Sequence, residues 1–89
     1  MNYSAYDNQD FVRALISDID AMSATAESDL RQLNQIGRYL RHHRGNGNIS
    51  ELHYTVDKER LKRTISKCKL LLFTLSQHRL QATKLLKDR

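Results

Sequence analysis

The sequence predicts an all-α protein built as an antiparallel helical hairpin of two long helices. The chain of 89 residues has no proline and only three glycines, so residues that break helices are scarce. Apolar residues recur in both halves at alternating steps of three and four, which places them on one face of a helix. A short segment rich in glycine and asparagine separates the two patterns and predicts the turn between the helices.

The composition indicates one folded domain that covers residues 1–89. The chain is 39% hydrophobic and 28% charged, which is ordinary for a globular protein and too apolar for a disordered tail. No serine or cysteine nucleophile stands beside a base, and no glycine-rich phosphate loop follows a strand pattern. We therefore predict that the protein is not an enzyme and that it needs no cofactor.

The first helix is predicted over residues 8–44. Asp7 can cap its start, and Asp10 suits the positive end of the helix dipole. One apolar seam runs along it, with Asp29 as its only polar member. The seam consists of Val12, Leu15, Ile19, Met22, Ala26, Leu33, Ile36 and Leu40.

The stretch from 23 to 29 is the weak part of this helix. Its side chains are small and several of them could cap a new helix, so a break there would give three helices in all. The three/four spacing keeps its phase across the stretch, and neither glycine nor proline interrupts it. We therefore favour one helix that is bent or slightly loose.

A loop is predicted over residues 45–56 and the second helix over residues 57–87. Thr55 or Asp57 can cap this helix, and Ser50 could cap a separate short turn before it. Its seam keeps the same alternation, with Arg79 as the exception. The seam consists of Leu61, Ile65, Cys68, Leu72, Leu75, Ala82 and Leu86.

The second helix has more apolar surface than one neighbouring helix can bury. Four residues lie outside its seam and are predicted to anchor a protein interaction. These are Leu70, Leu71, Phe73 and Leu80. Two hairpins could pair into a dimeric four-helix bundle, or the hairpin could clasp a different protein. Alternatively, this surface could be covered within a monomer by Ile49, Leu52, Tyr54 and the N-terminal Tyr3 and Tyr6.

Charge is strongly uneven along the chain, whose net charge is +5. Residues 1–36 carry six acids and two bases, whereas residues 37–89 carry thirteen bases and four acids. An antiparallel hairpin gathers many of these bases at the end where the helices connect, which we call the basic tip. Its predicted members are Arg38, Arg41, His42, His43, Arg44, Lys58, Arg60, Lys62, Arg63, Lys67 and Lys69.

Three functions are compatible with these features. The favoured one is a small regulator, adaptor or inhibitor that binds another protein by helix packing, with the basic tip steering an acidic partner. The second is a dimeric four-helix bundle that contacts the phosphates of nucleic acid. The third is a structural subunit of a larger assembly. The basic tip could also be an ordinary solvated surface with no ligand.

The remaining signals concern metals and location. The four histidines show no metal-ligand spacing, and Cys68 falls in the apolar seam, so no metal site is predicted. The longest apolar run, Leu70–Phe73, is four residues, which is far too short for a membrane span. A secretory signal is absent from the first residues, and a single cysteine cannot form an internal disulfide. These features favour a cytoplasmic protein.

Overall fold

The structure is a computed structural model that describes the backbone of residues 3–87 and the side chains of residues 9–86. Within this range it consists of two helices, α1 (Tyr3–Gly45) and α2 (Glu51–Lys87), joined by a turn at residues 46–50. The helices pack along each other, and the molecule measures 70 × 18 × 15 Å. The predicted antiparallel helical hairpin is therefore confirmed.

Helix α1 runs without a break through the stretch from 23 to 29. Thr25, one of the residues that could have capped a new helix, instead donates a hydrogen bond to the carbonyl of Ala21, 3.2 Å away and one turn back. This bond is compatible with a continuing helix. The hairpin thus has two helices, and the alternative with three is wrong. Helix α1 begins at Tyr3, five residues before the predicted start, so Asp7 lies within the helix and the prediction that it caps the helix is wrong.

The end of α1 is a hydrogen-bonded reversal of the chain. The amide of Asn48 donates to the carbonyl of His43 at 2.9 Å, and the amide of Gly47 donates to the carbonyl of Arg44 at 3.0 Å. Gly47 has a φ of 72°, the left-handed conformation that this type of helix end requires. The predicted end near Arg44 agrees with the observed end at Gly45 to within one residue.

Helix α2 begins at Glu51, six residues before the predicted start, so the predicted loop over residues 45–56 is too long. Ser50 caps the helix because its hydroxyl oxygen accepts a hydrogen bond from the amide of His53 at 3.2 Å. Thr55, a predicted cap, lies inside the helix, where its hydroxyl donates to the carbonyl of Glu51 at 2.9 Å. The separate short turn considered at Ser50 is in fact the first turn of α2.

The seam of α2 agrees with the prediction. Its members are buried or half-buried against α1, and the seam extends upstream to Tyr54, which is buried at the tip. Cys68 also contacts α1 through its thiol, which donates to the carbonyl of Ala26 at 3.2 Å. It therefore behaves as a small residue of the helix contact.

The seam of α1 differs from the prediction at every second position. Val12, Ile19 and Ala26 are buried as expected, and Leu33 and Leu40 are half-buried. Leu15, Met22 and Ile36, however, are exposed beside the seam. Between the residues that the predicted and observed seams share, the observed seam contains Ile16, Ser23, Leu30 and Gly37, which are buried or half-buried.

Small residues let the two helices approach closely. A Cβ atom added at Gly37 would lie 3.3 Å from Cδ2 of Leu61 on α2. The buried hydrophobic residues among the described side chains are few, and two of them are alanines. These residues are Val12, Ile19, Ala26, Tyr54, Leu75 and Ala82. The core is therefore a narrow strip between the two helices.

Within residues 3–87, neither helix has a segment that is long and apolar enough to cross a bilayer.

Candidate functional site

One side of the hairpin, which we call the apolar flank, carries exposed apolar residues on both helices. Leu15, Met22 and Ile36 follow each other on α1 at steps of seven or fourteen, and Leu71 and Leu85 do the same on α2. A step of seven returns to the same side of a helix, so each set forms a straight column beside the seam. Their exposed fractions range from 37% to 57%. The apolar flank therefore runs along most of the hairpin and is open to solvent in a single copy.

Shallow grooves lie along the apolar flank. One of them, of about 430 Å³, is bordered by Ile36 and Leu71, and a second of about 330 Å³ continues from it past Met22. A third, of about 260 Å³, lies between Leu15 and Leu85. Asp29 interrupts the column on α1, and Lys67 borders the same groove from α2. His78 interrupts the column on α2 between Leu71 and Leu85 and lines the third groove. The grooves are long and shallow, which suits the side chains of a packed helix better than an enclosed small molecule.

The opposite side, which we call the polar flank, has a different character. The corresponding positions at steps of seven are polar or charged on both helices. They are Arg13, Asp20, Glu27, Asn34 and Arg41 on α1, and Thr55, Lys62, Lys69, Ser76 and Thr83 on α2. The polar flank thus carries no large apolar side chain at these positions, whereas the apolar flank carries five, interrupted by Asp29, Thr64 and His78.

The four predicted protein-interaction anchors are all exposed, but they do not form one surface. Leu71 belongs to the apolar flank and borders two of its grooves. Leu70, Phe73 and Leu80 lie on the side of α2 that faces away from α1, which we call the outer face of α2, and are 64%, 62% and 57% exposed. Tyr54 and Leu52, which could have covered this region, stay at the tip, whereas Tyr3 and Tyr6 lie outside the described side chains.

Arg44, a predicted member of the basic tip, is held by neighbours within the hairpin. Its guanidinium donates to both carboxylate oxygens of Glu51, at 3.0 and 3.3 Å, and lies 4.5 Å from the centre of the Tyr54 ring. The hydrogen bonds to Glu51 raise the pKa of Arg44 above its usual range. Arg44 therefore joins the two helices at the turn.

The two histidines of the tip contact the turn. His42 lies 3.0 Å from the side-chain amide of Asn46, and His43 lies 3.3 Å from that of Asn48. The His43 ring also packs on Tyr39, with ring centres 4.1 Å apart. Both histidines thus interact with residues that shape the end of α1.

Four of the predicted basic residues surround one cleft between the helices, which we call the tip cleft. Arg38 and Arg41 contribute from α1, and Lys58 and Lys62 contribute from α2. The cleft has a volume of about 290 Å³, with Asn34, Gly37, Leu61 and Ile65 as its other lining residues. None of its lining residues is acidic. The structure thus brings two cations of α1 next to two cations of α2, although the two pairs are more than fifteen residues apart in the sequence.

The other basic residues of α2 lie elsewhere. Lys67 borders the apolar flank, Lys69 continues the polar flank one step of seven beyond Lys62, and Arg60 and Arg63 are exposed away from the tip cleft. The eleven predicted residues therefore do not form one cluster. The four in the tip cleft are the ones that line a common cleft among the described residues.

No family model, curated protein or solved structure matches this chain. The apolar flank, the outer face of α2 and the tip cleft are the three surfaces of the described residues that could carry a function. Among the described residues, no group of three or more histidines, cysteines or carboxylates is placed to hold a metal ion.

Sequence reasoning missed some residues of these surfaces. The apolar spacing predicts that Leu15, Met22 and Ile36 belong to the seam, whereas in the structure they are exposed and form the apolar flank. Asn34 and Gly37 line the tip cleft, yet neither carries a charge or an apolar side chain that marks it in the sequence. A glycine within a helical pattern is the one available signal, because it indicates close packing or function.

Proposed function

We propose that this protein is a non-enzymatic regulator, adaptor or inhibitor that binds another protein by helix packing and does so as a homodimer of hairpins. The observation that carries the proposal is the apolar flank, since an exposed apolar strip along both helices is costly for a protein that remains a monomer. The narrow core within one hairpin adds to this argument, because small domains have little stability to spare.

A second copy of the chain is the occupant that we assign to the apolar flank. The strip extends from Ile36 near the tip to Leu85 near the open end, so an occupant that covers it must present a helical surface of similar length. A second hairpin meets this requirement and completes a four-helix bundle. Leu71 and Met22, which lie near the middle of the strip, would be buried at the centre of the contact.

Charge determines the orientation of the two copies in this dimer. Residues 32–67 carry eight lysines and arginines against three acids, whereas the rest of the chain carries seven of each sign. Parallel hairpins would bring two basic tips together. Antiparallel hairpins place them at opposite ends of a molecule that is 70 Å long, far beyond the screening distance of about 8 Å at physiological salt. We therefore propose antiparallel hairpins.

The outer face of α2 is proposed as the surface for the protein partner. Leu70, Phe73 and Leu80 lie away from both α1 and the apolar flank, so they would remain exposed in the dimer. Aromatic and leucine side chains of this kind are typical anchors in a groove of a partner. The basic tip would accelerate encounter with an acidic surface, which makes the association rate fall as salt rises.

Light scattering with matched lysine variants tests the dimer. Wild-type protein at tens of micromolar should have twice the chain mass of 10.4 kDa. Leu71→Lys should give the monomer mass, because it places a charge in the centre of the proposed contact. Ser76→Lys adds the same charge at the equivalent position on the polar flank and should leave the dimer intact. A wild-type monomer, or equal effects of the two variants, would overturn the proposed dimer.

The partner surface is tested by affinity purification from the native cell with quantitative mass spectrometry. The double variant Phe73→Ser/Leu80→Ser should remain a dimer and lose the proteins captured by the wild type. Gln77→Ser, exposed on the same stretch of α2, should retain them. If both variants capture the same proteins as the wild type, the outer face of α2 is not the binding surface.

A further inference from the structure

We infer that the tip cleft binds the phosphodiester backbone of a nucleic acid. The first observation is the concentration of unneutralised charge. Arg38, Arg41 and Lys58 have no carboxylate within 4.0 Å among the described side chains. Lys62 has only Glu59, at 4.0 Å and with both side chains more than half exposed. Four cations around a cleft without an acidic lining residue repel one another until an anion occupies it.

The second observation is the position of the Arg41 guanidinium. Its Nη1 atom lies 3.6 Å from the point where a Cβ of Gly37 would be, so the side chain folds back along α1 towards the cleft. This is the usual direction of a side chain in an α-helix, and at this position it brings the exposed guanidinium to the rim of the cleft that Arg38 and Lys58 also line. A guanidinium in this place presents several N–H donors in a fixed plane, which suits phosphate oxygens.

The third observation is that the cations continue beyond the cleft. Arg31 lies one step of seven before Arg38 on α1, and Lys69 lies one step of seven after Lys62 on α2. Together with the four cations of the tip cleft, these two residues form what we call the basic stripe. Each step of seven is about 10 Å along a helix, so the basic stripe is longer than a single small anion. A ligand that uses the stripe must carry charges repeated along its length, as a nucleic-acid backbone does.

Contacts in the tip cleft are expected to read the backbone and not the bases. The eight lining residues include no aromatic side chain on which a base could stack. Leu61 and Ile65 at the floor are already half-buried against α1, so they offer little apolar surface to a peptide. Charge is therefore the main source of affinity, which favours a phosphate backbone over an acidic peptide. This site lies on the polar flank of a single hairpin and does not depend on the proposed dimer.

Fluorescence anisotropy with a labelled oligothymidylate over a salt series tests the inference. Six phosphate contacts on a single strand, four in the tip cleft and two at Arg31 and Lys69, predict a slope of log K against log salt of about −4.2, since each contact contributes about −0.7. The double variant Arg38→Gln/Arg41→Gln should reduce the slope to about −2.8. The double variant Arg60→Gln/Arg63→Gln removes the same two charges from exposed positions outside the cleft and should keep the wild-type slope.

Three results would overturn the inference. One is the absence of binding at low salt. Another is an equal loss of slope in the two double variants, which would show that net charge alone governs binding. The third is competition by polyglutamate as strong as that by unlabelled oligothymidylate, which would assign the cleft to an acidic polypeptide. Light scattering on the same variants reports the dimer separately, so failure of this inference and failure of the proposed dimer are distinguishable.

Discussion

Arg79 of α2 donates two hydrogen bonds to the carboxylate of Asp20 on α1, at 2.7 and 3.3 Å. Arg79 is the one charged interruption that the sequence shows in the otherwise apolar seam from Leu61 to Leu86. Its long side chain leaves the helix contact and reaches the polar flank, where half of it is exposed. The interruption is thus a cross-helix ion pair near the open end of the hairpin.

This ion pair predicts how stability depends on pH. The hydrogen bonds from Arg79 lower the pKa of the Asp20 carboxyl below its usual value. A carboxyl with a lowered pKa in the folded state contributes stability above its unfolded pKa of about 4 and loses it as the pH falls through the folded value. Asp20→Asn should therefore be less stable than wild type at neutral pH, and the difference should vanish in strong acid.

Chemical denaturation followed by circular dichroism from neutral to acidic pH measures this difference. Asp18→Asn is the control, since Asp18 is exposed on the same helix and has no ion pair among the described side chains. A stability difference between wild type and Asp20→Asn that is independent of pH would show that the ion pair is not its source.

The fold was predictable from the sequence because only a helical hairpin satisfies two long patterns of period three to four with a glycine-rich turn between them. The rotation of α1 about its own axis, which decides which of its residues face α2, was not predictable. Val12, Ile19 and Ala26 belong to two possible seams, one with the larger apolar residues Leu15 and Met22, and one with Ile16 and small residues such as Gly37. The hydrophobicity of the side chains favours the seam with Leu15 and Met22. The close packing of the two helices favours the seam with Ile16 and Gly37, because small side chains let the backbones come together.

The same rotation explains which part of the site could be predicted. The sequence places many bases at the tip, but it does not reveal which of them share a cleft. Turning α1 so that Gly37 faces α2 places Arg38 and Arg41 on the side of Lys58 and Lys62. His42 and His43, next to them in the sequence, contact the turn instead. The composition of the tip was thus available from the sequence, whereas its division into groups required both helix rotations.

Enlarging Gly37 is expected to force the helices apart. An added Cβ would already lie 3.3 Å from Cδ2 of Leu61, so the larger Gly37→Leu should destabilise the hairpin by about 1–3 kcal/mol through overpacking. Gly37→Ala should be nearly neutral, because its gain in helix propensity of about 1 kcal/mol offsets the tight contact. Urea denaturation measures both. If Gly37→Leu were as stable as wild type, the close approach of the helices would be refuted.

The two glycines of the turn should respond differently to the same substitution. Gly47 adopts a φ of 72°, so Gly47→Ala should cost about 1–2 kcal/mol in the left-handed conformation. Gly45 ends α1 with open space where a Cβ would be, so Gly45→Ala should be neutral or stabilise by up to about 1 kcal/mol. Thermal unfolding compares the two, and equal melting temperatures would contradict the observed end of α1.

Two isoleucines of α1 separate the observed seam from the one that the sequence predicts. Both Ile19 and Ile36 belong to the predicted seam, but Ile19 is 2% exposed and Ile36 is 54% exposed. Ile19→Ala should therefore cost about 2–5 kcal/mol, and Ile36→Ala much less, when unfolding is measured at a concentration where the monomer dominates. In light scattering, Ile36→Ala should weaken the dimer more than Ile19→Ala does, because Ile36 belongs to the proposed dimer contact and Ile19 does not. Equal losses of monomer stability would restore the predicted seam and remove the apolar flank from which the dimer is inferred.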